Sequence, residues 1–238
     1  MSELSDETSL PLAESAYRCL RDDIIACRLA PGQRVSERGL AKRIGLGVSP
    51  VRDALTRLDH EGLVRTIPRK GYQITPVTLK SVDDLFAFWY IIGPEVVKLG
   101  VEKASREQLK AIADYMNEVE RVGKSAKPDP DVLPVVDVGG DLFASLAEAT
   151  GNAYLAATYS RLSGELLRVW TLIGDAELVV AATEMKAGSW SEALEAGDGV
   201  RLAEQAREYI RVLSDHVARK LVRWPSVMST EVVPIHNP

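Results

Sequence analysis

Two runs of helical periodicity joined by a tight glycine turn, two short β-type runs behind them, and helical periodicity from Thr78 onward together predict a mainly α fold. Its expected parts are an N-terminal winged helix-turn-helix with a small two-stranded wing and a C-terminal all-α helical bundle. The expected boundaries are a flexible arm over residues 1–12, the first domain over 13–77, the helical domain over 78–222 and an irregular tail over 223–238.

From Glu14 to Leu29, apolar residues fall at Ala16, Tyr17, Leu20, Ile24 and Cys27, which is helical spacing. Ala30-Pro31-Gly32 is expected to stop that helix, since proline lacks an amide donor and glycine takes turn geometry. Ser36 reads as the N-cap of a second helix, with Glu37 favourable in its first turn. Leu40, Ala41 and Ile44 form its inner face, and Gly45 stands where a left-handed C-cap is wanted. Ser49 is expected to cap the third helix, with Pro50 in its first turn. There Val51, Ala54, Leu55 and Leu58 make the buried stripe. Ser49, Arg52, Asp53 and Thr56 remain outside, near the N-terminal end that reaches base edges in a recognition helix. Next, Val64, Thr66 and Ile67, then Tyr72, Ile74 and Val77, read as two strands around the turn Pro68-Arg69-Lys70-Gly71. The basic tip suits phosphates or a minor groove. Behind them, helices are expected at about 78–104 with a kink at Gly93-Pro94, 105–123, 132–150, 152–173, 176–196 and 198–222. A surface loop is expected at 123–131.

The bulk numbers fit this division. The 238 residues are 46% hydrophobic and 26% charged, an ordinary globular balance. Net charge is −5, yet residues 1–80 carry a net +3 and residues 81–238 a net −8, so the basic part is the part that looks like a DNA reader. No membrane-length apolar run, signal peptide, internal repeat or low-complexity segment is evident, and a cytoplasmic protein is expected. Cys19 and Cys27 are expected on one helix about two turns, roughly 12 Å, apart, too far for a disulfide.

At this point the chain resembles the GntR family of winged-helix bacterial regulators, in its FadR-type branch. The matching residues are Ala30-Pro31-Gly32, Ser36-Glu37-Arg38, Leu40-Ala41, Pro50-Val51-Arg52, Ala54-Leu55, Leu58, Glu61-Gly62-Leu63-Val64 and Arg69-Lys70-Gly71. The rear half is similar to that branch's helical effector domain, through Ala149-Thr150-Gly151-Asn152 and Ala196-Gly197-Asp198. By position, the resemblance implies DNA contacts from Arg38, Ser49 and Arg52, with Lys70-Gly71 of the wing assisting. Arginine offers a fork to guanine or a charge to phosphate, and a serine at a helix N-terminus suits a phosphate. Outside this context the same arginines would be ordinary solvated surface. Val48 and Thr56 complete the expected contact set; many relatives carry arginine where Val48 stands, so a different operator sequence is expected.

The second departure is in the effector domain. The branch's divalent metal is held by one Asp and three His, and the matching positions here are Gly140, Ala144, Ala187 and Tyr209. No metal of that type and no cofactor is therefore expected; Asp137 and Asp141 without an imidazole make a poor first-row metal site. Trp89, Tyr90, Trp170, Trp190 and Tyr209 read first as core, with Trp89 and Tyr209 also candidates to line an effector pocket. Arg161 and Arg168 lie seven apart on one helix, hence on one face, and an inward arginine would favour an anionic ligand.

The functional expectation is a ligand-responsive DNA-binding regulator, most simply a repressor. It would bind a near-palindromic operator as a homodimer and answer to a small anionic metabolite. The alternative is a regulator or scaffold with a collapsed pocket, acting through protein contacts. An enzyme is not expected: there is no phosphate-binding loop, zinc spacing or Cys/His pairing, and Gly45-Leu46-Gly47 is turn chemistry.

Overall fold

The computed structural model describes residues 11–125, 142–173 and 189–222. The expected arm (apart from its last two residues) and the tail lie outside these residues. So do most of the 123–131 loop and parts of the helices expected at 132–150 and 176–196. The chain forms two compact units, residues 1–76 and 77–238.

The first unit opens with helix α1 (Leu12–Ile25), which places Ala16, Leu20 and Ile24 in the core. It ends four residues sooner than its periodicity suggested. The Ala26 amide donates to Asp22 O (2.9 Å), and Cys27 turns left-handed at φ 52°. The reversal brings the Leu29 amide to Asp23 O (2.9 Å) and its side chain into the core. Cys27 therefore lies beyond α1, while Cys19 is exposed on it, and neither forms a disulfide. The Asp23 carboxylate clamps the turn by accepting from Arg28 Nε (2.6 Å) and Arg43 Nε (3.0 Å).

Strand β1 (Arg34–Val35) precedes α2 (Glu37–Ile44) and α3 (Val48–His60); β2 (Val64–Ile67) and β3 (Gly71–Ile74) follow. Ser36 caps α2 by accepting from the Gly39 amide (3.1 Å), and Gly45 ends it at φ 70°. The α3 cap differs from expectation. Gly47, not Ser49, is the N-cap, and no side chain closes that end. Ser49 and Pro50 become the second and third helical residues, where a missing proline amide removes only a donor with no intrahelical partner. Val51, Ala54, Leu55 and Leu58 are buried as their spacing requires. Arg57 ties α3 to α1: its guanidinium lies 3.5 Å from the Tyr17 ring centroid and donates to Glu14 (2.9 Å).

The wing is a three-stranded antiparallel sheet in the order β1-β3-β2, one strand more than expected. Val35 pairs with Tyr72, and Thr66 pairs with Tyr72 from the other side. Two-residue β1 is too short to show alternation, so only its pairing reveals it. Gly71 is required at its place: φ is 85°, and a Cβ there would meet Val35 O at 2.8 Å.

The second unit begins with α4 (Leu79–Lys103), closed by a Thr78–Ser81 capping box, with Pro94 inside the helix. It continues with α5 (Arg106–Ser125), α6 (142–149), α7 (Ala153–Ile173), α8 (Ser189–Ala196) and α9 (Gly199–Val222). Residues 123–125, read as loop, are the last of α5. The two signpost turns carry left-handed glycines, Gly151 at φ 68° and Gly197 at φ 66°. Asn152 and Asp198 then accept from the first-turn amides of α7 and α9. Helix α4 is the spine. Its Gly100 lies against Leu146 of α6, and its Gly93 against Ile210 of α9 and Tyr159 of α7, contacts that leave no room for a Cβ.

Candidate functional site

The outer face of α3 presents Ser49, Arg52 and Thr56, all exposed. Ser49 sits in the uncapped first turn with its hydroxyl uninvolved in capping, so the amides and hydroxyl there face a region of positive helix-end potential. Thr56 Oγ1 donates back to Arg52 O (3.0 Å), which fixes the threonine rotamer. Val48 is only half-exposed and packs against the core of this unit, so it is not a free surface group.

Arg52 does not wave in solvent. Its Nε and Nη2 donate to the two carboxylate oxygens of Glu37 at 3.0 and 2.8 Å, a fork bridging α2 and α3. Those bonds from Arg52 hold the Glu37 carboxyl below the usual glutamate range, against a smaller opposing effect of burial. Tyr72 of the wing approaches the same carboxylate at 3.5 Å. Burial, then Glu37's charge, pushes the Tyr72 phenol up. Arg38, next in sequence to Glu37, is exposed and makes no side-chain hydrogen bond or ion pair among the described residues. Lys70 is exposed at the wing tip, beside Arg69 in a left-handed conformation (φ 65°), with Gly71 opening β3 behind it. Sequence reasoning missed Glu37 and Tyr72 as parts of this face; Glu37 registered only as a first-turn acid.

The interior of the helical unit holds a cluster of aromatic rings. Trp89 contacts Phe143 (centroids 5.3 Å apart) and Tyr209 (6.1 Å); Trp190 contacts Tyr209 (5.4 Å); Phe143 stacks on Tyr159 (5.8 Å). Trp89 and Tyr209 are thus buried packing partners. Burial pushes the phenols of Tyr159 and Tyr209 far up, so both stay neutral; the nearby Trp89 indole N–H opposes this weakly at Tyr159. The two arginines of α7 part company. Arg168 is wholly buried and donates from Nη1 to Glu165 (2.9 Å), whereas Arg161 is exposed. The seven-residue spacing gave them one azimuth, but burial depends on what covers each turn.

Of the four positions matching the family's metal ligands, Gly140 and Ala187 lie outside the described residues, as do Asp137 and Asp141. Ala144 offers a methyl group, and Tyr209 a neutral phenol inside the ring cluster. This donor set does not fit a divalent metal. Among the described residues, no three His, Cys, Asp or Glu side chains group as ligands.

A three-helix unit with a β wing, an exposed Arg-bearing third helix and an all-helical second unit can be compared with known families. Residues 12–74 match the model of the bacterial regulatory proteins of the gntR family, and residues 84–212 match the FCD domain. The chain belongs to the GntR family. This is a family of transcription regulators, not of enzymes. The chain is 27% identical over 133 residues to YdhC, an uncharacterized HTH-type transcriptional regulator of Bacillus subtilis, covering 56% of this chain and 59% of that protein. It is 33% identical over 72 residues to the Escherichia coli repressor RspR, covering 30% and 32%. With the E. coli repressor GlaR it shares 27% over 150 residues, covering 61% and 66%. The matches span less than two thirds of each of these relatives. Among solved structures, E. coli McbR/YncC superposes with a TM-score of 0.74 at 18% identity, covering 89% of this chain and 99% of that one. That likeness shows a shared fold.

Proposed function

We propose that this GntR-family chain is a repressor that binds a near-palindromic operator as a homodimer and is released by a small effector bound in the helical unit without a metal. The observation that carries the DNA reading is the exposed, uncapped N-terminal turn of α3, with Arg52 held ready beside it and Arg38 and the wing-tip Lys70 as further cations. Arg38, Ser49, Arg52, Thr56 and Lys70 are the proposed contacts. Val48 supports the helix from beneath and sets its depth in the groove, and Gly71 shapes the wing.

Helix α4 supplies a face for the second copy. Phe88, Ile91 and Leu99 are exposed at helical spacing along one side of it, with Ile91 68% exposed. A two-fold pairing would cover this stripe with itself. Ile91→Glu will then yield monomer in sedimentation equilibrium, where the native chain is dimeric.

Arg168 is the proposed anion anchor of the effector site, shared with Glu165, and Arg161 drops out because it faces solvent. The dense ring cluster favours a second reading, in which the interior is closed and the regulator answers to protein contacts instead. Thermal shift against organic acids, sugar acids and acyl-CoAs separates them: a bound effector at a hundred times its Kd adds about 2.7 kcal/mol of stability, and a closed core adds none. Binding of purified protein to its own upstream DNA will weaken linearly on a log–log salt plot. Affinity that ignores salt would overturn the DNA reading.

A further inference from the structure

We propose that Glu37 is a positioning residue that sets DNA sequence specificity by holding the Arg52 guanidinium in a reading orientation. This rests on the proposed role of Arg52 in contacting DNA. The geometry is a fork against a fork. Glu37 takes the side edge of the guanidinium, Nε at 3.0 Å and Nη2 at 2.8 Å. The end edge, one hydrogen of Nη1 and the outer hydrogen of Nη2, remains for another acceptor. That edge is the one that can meet the O6 and N7 atoms of a guanine side by side. Arg52 stays open to a partner, since its side chain is 62% exposed, while the Glu37 side chain is 24% exposed and so is the fixed member of the pair.

The carboxylate is itself anchored on two sides. It lies in the first turn of α2, whose N-terminus is closed by Ser36 and whose dipole favours a negative charge. It also faces the Tyr72 hydroxyl, and Tyr72, like Gln73 beside it, is paired to both neighbouring strands of β3. Recognition helix, α2 and wing therefore meet at one carboxylate.

Two consequences follow from placing an anion beside a reading arginine. The long side chain is ordered before DNA arrives, so the right base does not have to order it. The negative charge also weakens attraction to any phosphate, which penalises wrong sequences as much as right ones and leaves the base contact to decide between them. Glu37 thus raises discrimination rather than affinity.

The test uses the full chain, a duplex it selects from a randomised pool, and a shuffled duplex of equal composition. Wild type, E37Q, E37D, R52A and the E37Q/R52A pair are compared by anisotropy, with thermal melting to confirm folding. The ratio of selected to shuffled affinity is expected to fall about tenfold in E37Q. E37D, which keeps the charge but shortens the reach, will fall alike. Affinity for the shuffled duplex will hold or rise in E37Q. In the R52A background, E37Q will change the ratio no further. The proposal is overturned if E37Q keeps the wild-type ratio while R52A loses it, or if E37Q lowers the ratio equally without Arg52. If R52A binds the selected duplex as wild type does, the assignment of Arg52 to DNA fails instead.

Discussion

Replacing Gly100 with alanine will loosen the helical unit where α4 crosses α6. A Cβ built there meets the Leu146 carbonyl oxygen closer than real contacts allow, and the Leu146 Cβ at 2.7 Å. Leu146 is fully buried, and the nearest obstacle is backbone, so no rotamer change relieves it. The two helices must part by roughly 1 Å to restore an ordinary carbon contact. Overpacking of this kind costs about 1–3 kcal/mol, and a rigid backbone obstacle belongs to the upper half of that range. Alanine in a helix interior returns about 1 kcal/mol relative to glycine. The net expectation is a loss of about 1–2 kcal/mol, or a drop of about 4 °C in melting temperature for a unit of this size. Gly93→Ala is the control. Its nearest obstacle, at 2.7 Å, is Ile210 Cδ1, the end of a side chain rather than backbone, with Trp89 Cδ1 and Tyr159 Oη each at 3.0 Å, so a smaller loss than at Gly100 is expected. All four tryptophans, Trp89, Trp170, Trp190 and Trp224, come after residue 76 in the sequence and none belongs to the first unit, so urea unfolding followed by tryptophan fluorescence does not report on that unit. A Gly100→Ala midpoint equal to wild type, or above that of Gly93→Ala, would refute the reasoning.

The remaining predictions concern the first unit. Asp23→Ala removes the acceptor shared by Arg28 and Arg43; because both arginines are about half exposed, the expected loss is about 1–2 kcal/mol, read by differential scanning calorimetry. Burial raises the Asp23 pKa, but the bonds from Arg28 and Arg43 outweigh it and hold the carboxyl below its ordinary value. The folded pKa is therefore the lower one. This stabilisation is complete above about pH 3.9, the unfolded value, and is lost as pH falls through the folded one, so wild type and Asp23→Ala will converge in acid and not in base. Leu58→Ala, at a position with no exposure, will cost about 2–5 kcal/mol; a loss under 1 kcal/mol in chemical denaturation would contradict its place in the core. Lys70→Ala will weaken DNA binding evenly across sequences and reduce the salt slope by about 1; a sequence-dependent loss would mean that Lys70 reads bases.

Much of this protein was legible in order along the chain because the deciding physics is local. Ser36 and Gly45 bracket α2 through bonds to their own neighbours, and the stripe from Val51 to Leu58 needs only the helical period. The left-handed glycines at 151 and 197 mark turns in the same way. Where local signals compete, spacing and cap residues mislead. Ser49 before Pro50 looked like a cap, but Gly47 takes that place and Ser49 enters the helix. Apolar spacing carried α1 on to Leu29, although the chain reverses at Cys27 to bury Leu29 and bond Asp23 to two arginines.

The sequence by itself thus determined the mainly α class, the winged unit, the third helix with its outward arginine and the poor fit of the metal positions, since each follows from residue type at a given spacing. Tertiary structure alone decided the third strand of the wing, the burial of Arg168 but not Arg161, the closing of the aromatic rings around Tyr209, and the fork between Glu37 and Arg52. Each of these depends on contact between residues distant in sequence, fifteen positions in the last case, and no periodicity encodes which partners the folded chain brings within hydrogen-bond reach.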